Sequence, residues 1–275
     1  MSDPRVAILD VRGEAAFREA HVPGAANIPL EELAARLHEL PAKGAPLAVY
    51  DADGARAERA VGELAARGYA PEVLPPGAAA LSEAGPARIF LWRPSAFLVE
   101  AVQTIGKVQA ADAMLPPGRA LDVACGAGRE AVWLAMHGWQ VDAVDVLNDA
   151  LERAGGLAGR CGVSISAFRR DLRRRGELPG GAYDLVTVFR FLHRPVLKAI
   201  AAAVRPGGLL VYETFHRSDA RVDHDRLPPR GAVLDGELAA TFADFEPLIA
   251  RNGVARQGRV FSQFLGRRRP ARSGG

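Results

Sequence analysis

Apolar and polar residues form two repeating patterns along most of the chain. Short apolar runs bounded by glycine, proline or aspartate predict buried strands, and longer stretches with apolar residues three or four positions apart predict helices. Strands that alternate with helices are typical of an α/β fold with a mostly parallel sheet. In the first third of the chain the patterns predict strands at Val6–Val11, Pro46–Tyr50 and Pro71–Leu74, and helices at Leu30–Leu40 and Ala55–Ala66.

The rest of the chain repeats this alternation more strongly. A linker at Arg88–Pro94 leads to an amphipathic helix at Ser95–Ile105, and Asn252-Gly253 near the far end favours a tight hairpin turn. The predicted strands are Ala120–Ala124, Gln140–Asp145, Ser164–Phe168, Tyr183–Val188, Gly208–Thr214, Phe245–Arg251 and Arg259–Gly266, and the predicted helices are Glu130–His137, Asn148–Ala158 and Pro195–Val204.

These elements predict two α/β domains, residues 1–87 and residues 88–266. We expect the second domain to contain a mostly parallel seven-stranded sheet, with five parallel strands closed by an antiparallel hairpin. Residues 267–275 are rich in arginine and are predicted to form a disordered tail.

The composition is that of an ordinary folded protein, with 275 residues, 49% of them hydrophobic and 24% charged. The best membrane-span candidate, Ala199–Tyr212, is interrupted by Arg205 and Pro206 and falls short of the ~20 apolar residues that a spanning helix needs. No apolar segment follows Asp3 at the N-terminus, so we predict no secretion signal, no membrane partner and a cytoplasmic location.

The charge balance is slightly basic, with 35 lysine and arginine residues against 32 aspartate and glutamate residues. Only Lys43, Lys107 and Lys198 are lysines, and this preference for arginine is typical of a GC-rich genome. We therefore interpret the excess as compositional bias and expect no nucleic-acid partner. The two cysteines, Cys125 and Cys161, are too few for a disulfide framework or a zinc site, so no metal is predicted.

A glycine-containing turn follows the first strand of the second domain. Gly126 and Gly128 allow a backbone to approach a ligand closely at the N-terminus of the next helix. The following strand ends in Asp145, which either accepts hydrogen bonds from both ribose hydroxyls of a nucleoside or caps the helix after it. Ala131 completes the spacing of a dinucleotide-binding loop, but Asp122 would repel a pyrophosphate and suits an ammonium group.

The second domain resembles the class I S-adenosylmethionine-dependent methyltransferases, and more narrowly the tellurite-resistance-type and small-molecule methyltransferases. Five segments between Ala120 and Thr214 carry the resemblance: the glycine loop, Asp145, Asp171 after the third strand, Asp184–Phe189, and the turn Arg205–Leu209. The resemblance implies S-adenosylmethionine as cofactor and a small-molecule methyl acceptor. It also implies that the cofactor is bound by Asp122, Ala124, Gly126, Gly128, Asp145, Leu147, Asp171, Leu172 and Phe189.

The pattern assigns no single catalytic residue, because the cofactor carries the reactive sulfonium and an electron-rich acceptor needs no general base. The weak candidates at the strand ends are Arg190, His193 and Tyr212, with Glu213 and His216 beside them. His193 also lies where a helix begins, and we favour a structural role for it. We interpret Cys125 as a packing residue of the loop. The insertion from His216 to Gly236, with His224, Pro228 and Pro229, is predicted to cover the pocket.

The first domain resembles the rhodanese-like family over residues 1 to about 87, through Leu9–Arg12, Phe17 and His21–Pro29. In that family a loop of the form C-x-x-G-x-R carries the sulfur, and here the matching loop is Asp51–Arg56, with Asp51 in place of the cysteine. A carboxylate cannot hold a persulfide, so we predict that this domain does not transfer sulfur. A docking or regulatory role, through a protein partner or a homodimer, is the expectation.

The sequence therefore predicts transfer of a methyl group from S-adenosylmethionine to a small molecule. Two alternatives remain open. One is a non-catalytic regulator that binds S-adenosylmethionine. The other is a nucleic-acid methyltransferase, whose basic residues would be Arg169, Arg170, Arg173–Arg175 and Arg267–Arg269. Phe189–Leu192, however, stands where such enzymes carry an N-P-P-Y-type loop.

Overall fold

The computed structural model describes residues 6–75, 77, 80–109, 117–174, 178–217, 232–256 and 258–270. The chain divides into an N-terminal unit, Met1–Arg93, and a C-terminal unit, Pro94–Gly275. Among the described residues, no helix combines the length and the hydrophobicity that crossing a membrane requires.

The N-terminal unit is built on a four-stranded parallel sheet with the strand order β2-β1-β3-β4. Leu9, Val49 and Leu64 lie in its core with no exposed surface. Its strands are β1 (Ala7–Asp10), β2 (Ala25–Asn27), β3 (Leu47–Tyr50) and β4 (Pro71–Leu74), and its helices are α1 (Glu14–Glu19) and α2 (Ala55–Ala65).

The prediction of an α-helix at Leu30–Leu40 is wrong. This segment forms two short 3-10 helices, Leu30–Glu32 and Leu37–Glu39. The backbone N–H of Leu30 donates to the carbonyl oxygen of Val11 at 3.1 Å, which fixes the start of the segment to the end of β1. Because a 3-10 turn also places residues i and i+3 on one face, the leucine spacing is met without an α-helix.

The C-terminal unit is built on an eight-stranded sheet with the order β11-β12-β9-β8-β5-β6-β7 and β10 beside β9. Five strands, β5 to β9, are parallel, and β12 and β11 add an antiparallel pair. The strands are β5 (Arg119–Val123), β6 (Gln140–Asp145), β7 (Ser166–Arg169), β8 (Tyr183–Phe189), β9 (Val204–His216), β10 (Ala232–Val233), β11 (Phe245–Arg256) and β12 (Arg259–Arg268).

Helices cover both faces of this sheet. Apolar residues of α3 and α4, such as Phe97 and Leu134, pack on one face, and those of α6 and α7, such as Ile200 and Leu238, pack on the other. The helices are α3 (Ala96–Gln109), α4 (Arg129–Met136), α5 (Asn148–Arg160), α6 (Leu197–Ala203, preceded by the 3-10 turn Arg194–Val196) and α7 (Glu237–Thr241).

The predicted class of fold is confirmed, but the predicted number of strands is not. The additional strand is β10, whose two residues pair in parallel with Phe215 and His216 of β9. Two residues are too few to produce an alternating pattern, so the sequence could not reveal this strand. Most of the insertion predicted to cover the pocket, including His224, Pro228 and Pro229, lies outside the described residues.

The turn of the final hairpin lies farther along the chain than Asn252-Gly253. β11 continues to Arg256, which pairs with Arg259, while Asn252-Gly253 falls within an irregularity of the pairing between Arg251 and Val254. The side-chain carbonyl of Asn252 accepts a hydrogen bond from Ser262 at 3.1 Å, which holds the irregularity against β12. The asparagine–glycine pair thus forms a bulge rather than the turn.

The prediction of a disordered tail over residues 267–275 is wrong for its first residues. Arg267 and Arg268 belong to β12 and pair with β11, and Arg267 also pairs with β9. Arg269 donates its backbone N–H to the carbonyl oxygen of Asp244 at 3.0 Å. The arginine-rich composition hid the strand because the apolar residues of the hairpin end at Leu265. Residues 271–275 lie outside the described part of the chain.

The order of the parallel strands determines where a ligand can bind. The chain runs from β5 outward to β6 and β7, and then returns to the other side of β5 with β8 and β9. Loops at the carboxyl ends of β5 and β8 therefore leave in opposite directions and open a crevice, which is where open α/β sheets bind ligands.

Candidate functional site

The loop between β5 and α4 has a backbone that turns sharply. Ala124, Gly126 and Gly128 have positive φ angles of 57°, 55° and 78°. A Cβ atom at Gly128 would lie 2.6 Å from the Cβ of Ala154, so glycine is needed there for the close packing of α4 against α5. A Cβ atom at Gly126 would meet nothing within 4 Å, so space remains over this part of the loop.

Asp145 connects the end of β6 to this loop. Its Oδ2 accepts a hydrogen bond from the backbone N–H of Gly126 at 2.9 Å, and its Oδ1 accepts one from the N–H of Leu147 at 3.0 Å. Leu147 is the N-cap residue of α5, so Asp145 holds both the glycine loop and the start of this helix. Beside this carboxylate, the Leu147 side chain is 55% exposed and offers an apolar surface.

Asp122 lies under the loop and is almost fully buried. Thr187 donates its hydroxyl to Asp122 Oδ1 at 2.8 Å, whereas Oδ2 has no hydrogen-bond partner within the described parts of the chain. Burial raises the pKa of Asp122 well above its usual range, and the negative charge of Glu130 adds to this effect. A buried carboxylate with one unpaired oxygen provides a strong site for a positively charged donor.

Two of the three catalytic candidates lie just beyond the end of β8. Arg190 has a positive φ angle of 55°, donates its backbone N–H to the carbonyl oxygen of Glu213 at 2.7 Å, and has an exposed side chain. His193 precedes a 3-10 turn, where its carbonyl oxygen, rather than its ring, accepts the hydrogen bond from Val196 at 3.0 Å. The half-buried imidazole therefore makes no capping bond at this helix start.

Tyr212, the third catalytic candidate, lies in the core of the C-terminal unit. Its hydroxyl donates to the carbonyl oxygen of Phe191 at 2.8 Å, and its ring lies 5.7 Å from that of Phe242. Burial raises the pKa of the Tyr212 hydroxyl above its usual range, which keeps it protonated. The Tyr212 hydroxyl therefore holds the loop after β8 in place through this hydrogen bond.

The loop after β7 approaches the same edge of the sheet. Arg170 donates its backbone N–H to the carbonyl oxygen of Asp145 at 2.9 Å. Leu172 is buried in the core, and the half-exposed Asp171 accepts a hydrogen bond from the N–H of Arg173 at 3.0 Å. The structure thus places the residues after β5, β6, β7 and β8 along one edge, with Phe189 buried at the end of β8.

Glu213 and His216 occupy different surroundings near the end of β9. Glu213 is buried and accepts hydrogen bonds from Ser95 at 3.0 Å and from Gln263 at 2.6 Å. His216 lies farther along, with Nδ1 at 3.0 Å from Ser262 Oγ and Nε2 at 3.5 Å from Asp235 Oδ1. Within the described ranges, no group of three or more histidine, cysteine, aspartate or glutamate residues could hold a metal ion.

Sequence reasoning missed Ser95, Glu130 and Gln263. Glu130 accepts a hydrogen bond from the backbone N–H of Ser95 at 3.0 Å, which joins the start of α3 to the start of α4. These three residues lie far apart in the chain and belong to no motif that a single sequence displays. Only the pairing of β9 with β12 and the packing of α3 bring them together.

Three of the basic residues proposed for a nucleic-acid site, Arg169, Arg170 and Arg174, contact other groups of the protein. The Nε of Arg169 donates to the carbonyl oxygen of Val146 at 3.2 Å, and the Arg170 guanidinium lies 5.7 Å from the ring centre of Phe168. The Nε of Arg174 lies 3.7 Å from Asp171 Oδ2, while Arg175 is outside the described residues.

In the N-terminal unit, Asp51 lies at the end of β3 and is 3% exposed. Its Oδ2 accepts a hydrogen bond from the backbone N–H of Arg56 at 3.1 Å, at the first turn of α2. Burial raises the pKa of Asp51, and a hydrogen bond with Asp53 contributes in the same direction. The Asp51 carboxylate therefore accepts the backbone N–H that Arg56 donates at the start of α2. The chain has no cysteine before Cys125.

Comparisons with known families separate the two units. Residues 1–75 match the family model described as "Rhodanese-like domain", and residues 120–208 match the one described as "Methyltransferase domain". The N-terminal unit thus contains a segment similar to rhodanese-like domains, and the C-terminal unit contains a segment similar to methyltransferase domains.

Known proteins are similar to parts of the chain of different length. "Uncharacterized protein UNK4.09" of Schizosaccharomyces pombe is 25% identical over 86% of this chain and 84% of its own length. A "Ubiquinone biosynthesis O-methyltransferase" of Burkholderia thailandensis is 33% identical over 39% of this chain, and the match spans only about half (49%) of that relative. TehB of Haemophilus influenzae shares the fold, with a TM-score of 0.50, 19% identity, and coverage of 61% of this chain and 62% of its own.

Proposed function

We propose that the carboxyl edge of β5, β6 and β8 binds S-adenosylmethionine and that the chain transfers its methyl group to a small-molecule acceptor. The arrangement of Asp145 carries the proposal, since this carboxylate holds the glycine loop at Gly126 and leaves space above it. Each carboxylate oxygen has a second lone pair, so Asp145 is able to accept from ribose hydroxyls in addition to its backbone donors.

The residues at this edge fit the parts of the cofactor. The unpaired Oδ2 of Asp122 fits the ammonium of the methionine part, and the exposed Leu147 fits the apolar face of the adenosine. Asp171 and Leu172 would flank the adenine, with the backbone of Ala124, Gly126 and Gly128 beside the methionine and Phe189 near the reactive end. When bound, the cofactor supplies an electrophilic methyl group, so the protein has mainly to orient an acceptor in line with it.

We assign no general base. Tyr212 donates its hydroxyl to a carbonyl oxygen and its pKa is raised, so it is poorly suited to remove a proton. His193 remains a candidate base, because its side chain lies just beyond β8 and makes no capping bond. The Arg190 guanidinium has no lone pair to accept a proton, so it can only orient an acceptor. An acceptor that is already an anion or a neutral amine needs no base before attack.

The proposed binding site is tested by isothermal titration of S-adenosylmethionine and S-adenosylhomocysteine into the full chain and the Asp145→Ala variant. We expect affinity to fall at least about tenfold, because the variant loses ribose acceptors and the support of Gly126. Asp149→Ala is the matched control, since this acid in the first turn of α5 pairs with Arg153. Equal affinities for Asp145→Ala and the wild type would refute the assignment.

For the rhodanese-like domain we propose a docking or regulatory role without sulfur transfer. A thiolate must hold the persulfide, and the loop after β3 instead presents the buried carboxylate of Asp51. We expect no thiosulfate-to-cyanide transfer above the uncatalysed rate, and robust turnover would contradict the proposal. A pull-down with the isolated first 93 residues, compared with the full chain in sedimentation, tests for a protein partner or a homodimer.

A further inference from the structure

A row of three side chains, two of them polar, lies at the edge of the sheet face that α3 and α4 cover. Phe189 of β8, Glu213 of β9 and Gln263 of β12 lie side by side in register. The residues below them on this face, including Val211 and Leu265, belong to the apolar core. Glu213 and Gln263 are only 4% and 2% exposed. A buried carboxylate and amide are unfavourable there unless their hydrogen bonds are satisfied.

Hydrogen bonds connect this row to the glycine loop. Ser95 donates its hydroxyl to Glu213 Oε1 at 3.0 Å and its backbone N–H to Glu130 Oε1 at 3.0 Å. Gln263 donates from Nε2 to Glu213 Oε2 at 2.6 Å. Since Glu130 is the second residue of α4, the row lies next to the proposed position of the cofactor.

This edge of the sheet is strongly acidic. Asp122, Glu130, Asp145 and Glu213 are all buried, and the Arg256 guanidinium is 3.8 Å from Glu213 Oε2. The raised pKa of Asp122 favours its neutral form. Even without Asp122, the three carboxylates of Glu130, Asp145 and Glu213 exceed the positive charge of Arg256 and of a bound cofactor with a single net positive charge. The edge therefore favours a second ligand that carries positive charge.

An unpaired acceptor within the row points to the same kind of ligand. Among the described residues, Gln263 Oε1 is buried without a hydrogen-bond partner, as is Asp122 Oδ2. The two residues lie three strands apart, on β12 and β5, which corresponds to about 14 Å at the usual strand spacing. A methionine ammonium at Asp122 cannot also reach Gln263, so the amide oxygen requires a different donor.

We propose that Glu213 and Gln263 recognise the methyl acceptor, and that the group they bind is a positively charged nitrogen that carries N–H bonds, as in a protonated amine or a guanidinium. The carboxylate complements the charge and the amide oxygen accepts an N–H. This nitrogen is the recognition group and not the methylated atom, because a protonated nitrogen has no lone pair for attack on the methyl. The inference rests on the proposed function, since it places the acceptor beside the bound cofactor.

The test uses the full chain saturated with S-adenosylhomocysteine and three probes of similar shape: phenethylamine, phenethyl alcohol and 3-phenylpropionate. Their common phenyl ring suits the neighbouring Phe189, and only the charge of the polar group changes. In calorimetric or ligand-observed NMR titrations, we expect the amine to bind at least about tenfold more tightly than the other two, as a charged hydrogen bond allows.

Two variants identify the residues responsible. Glu213→Gln and Gln263→Leu should each weaken amine binding about tenfold while S-adenosylhomocysteine affinity stays within about twofold. Glu246→Gln is the matched control, because this glutamate is exposed on the neighbouring β11. Thermal melting establishes that the variants are folded, and Gln263→Leu, which leaves every charge in place, decides the matter if Glu213→Gln does not fold.

Three results would overturn the inference: equal or tighter binding of the carboxylate probe, no binding of any probe at millimolar concentration, or unchanged amine affinity in a folded Gln263→Leu variant. A chain that does not bind S-adenosylhomocysteine at all would instead refute the proposed function. The cofactor titration alone therefore separates the two failures.

Discussion

Gly126 and Gly128 lie two residues apart in one loop, yet the structure gives alanine at these positions opposite consequences. Both glycines have a positive φ angle, 55° and 78°, where an L-residue costs about 1–2 kcal/mol. A methyl group at position 128 would also lie 2.6 Å from the Cβ of Ala154, and such overpacking typically adds about 1–3 kcal/mol. At position 126 the methyl group meets nothing within 4 Å.

We therefore expect Gly128→Ala to lower the free energy of unfolding of the C-terminal unit by about 2–5 kcal/mol, and Gly126→Ala by only about 1–2 kcal/mol. Cofactor binding should follow a different order. Gly126→Ala fills the space proposed for the cofactor, so it should reduce S-adenosylhomocysteine affinity at least about tenfold in a protein that remains folded. Gly162→Ala is the control for backbone strain, since its φ angle is +69° and a Cβ there also meets nothing within 4 Å.

Urea denaturation followed by tryptophan fluorescence, together with calorimetric titration of S-adenosylhomocysteine, measures both effects. Equal stability of Gly128→Ala and Gly162→Ala would show that α4 and α5 do not pack as closely as the structure indicates. Wild-type affinity of Gly126→Ala would show that the cofactor does not occupy the space over the loop.

Two further variants probe buried groups of the same unit. Asp122 has a raised pKa in the folded protein, so its burial penalty is absent below the unfolded value of about 3.9 and grows as the pH rises above it. The cofactor-free Asp122→Asn variant should thus melt at a higher temperature than the wild type at pH ~7, and the difference should vanish near pH ~4. The cofactor affinity of this variant should fall. A difference in melting temperature that does not depend on pH would contradict the prediction. Tyr212→Phe should lose about 1 kcal/mol of stability, because the Phe191 carbonyl loses its donor, while methyl transfer stays within a few fold. A loss of activity beyond about a hundredfold in a folded Tyr212→Phe protein would instead indicate a catalytic hydroxyl.

Local patterns predicted most of the parallel strands, because a strand that is buried on both faces, such as Leu47–Tyr50, has a continuous run of apolar residues. They failed where tertiary contacts decide the outcome. Leu30–Leu40 has helical spacing, but the bond from Leu30 to Val11 fixes it as 3-10 turns. Arg267 and Arg268 look like a polar tail, but both pair with β11, and Arg267 also pairs with β9.

The candidate site also contains residues that the sequence could reveal and residues that it could not. Asp122 and Asp145 could be found in the sequence because the loop and the strand end that carry them have a fixed spacing. The surroundings that give them their chemistry could not, since Thr187 and Glu130 reach Asp122 only after β8 and α4 are in place. Gln263 could not be found at all, because its partner Glu213 lies 50 positions earlier in the chain.

The position of Ser95 sets a limit on how the chain can be shortened. Arg93 is the last residue of the N-terminal unit, and Ser95, two positions later, supplies donors to both Glu130 and Glu213. A methyltransferase fragment that begins at Ala96 would leave two buried carboxylates without these donors, whereas one that begins before Pro94 would keep them. A methyltransferase fragment should therefore begin no later than Pro94, the first residue of the C-terminal unit, so that the backbone N–H and the hydroxyl of Ser95 keep both carboxylates paired.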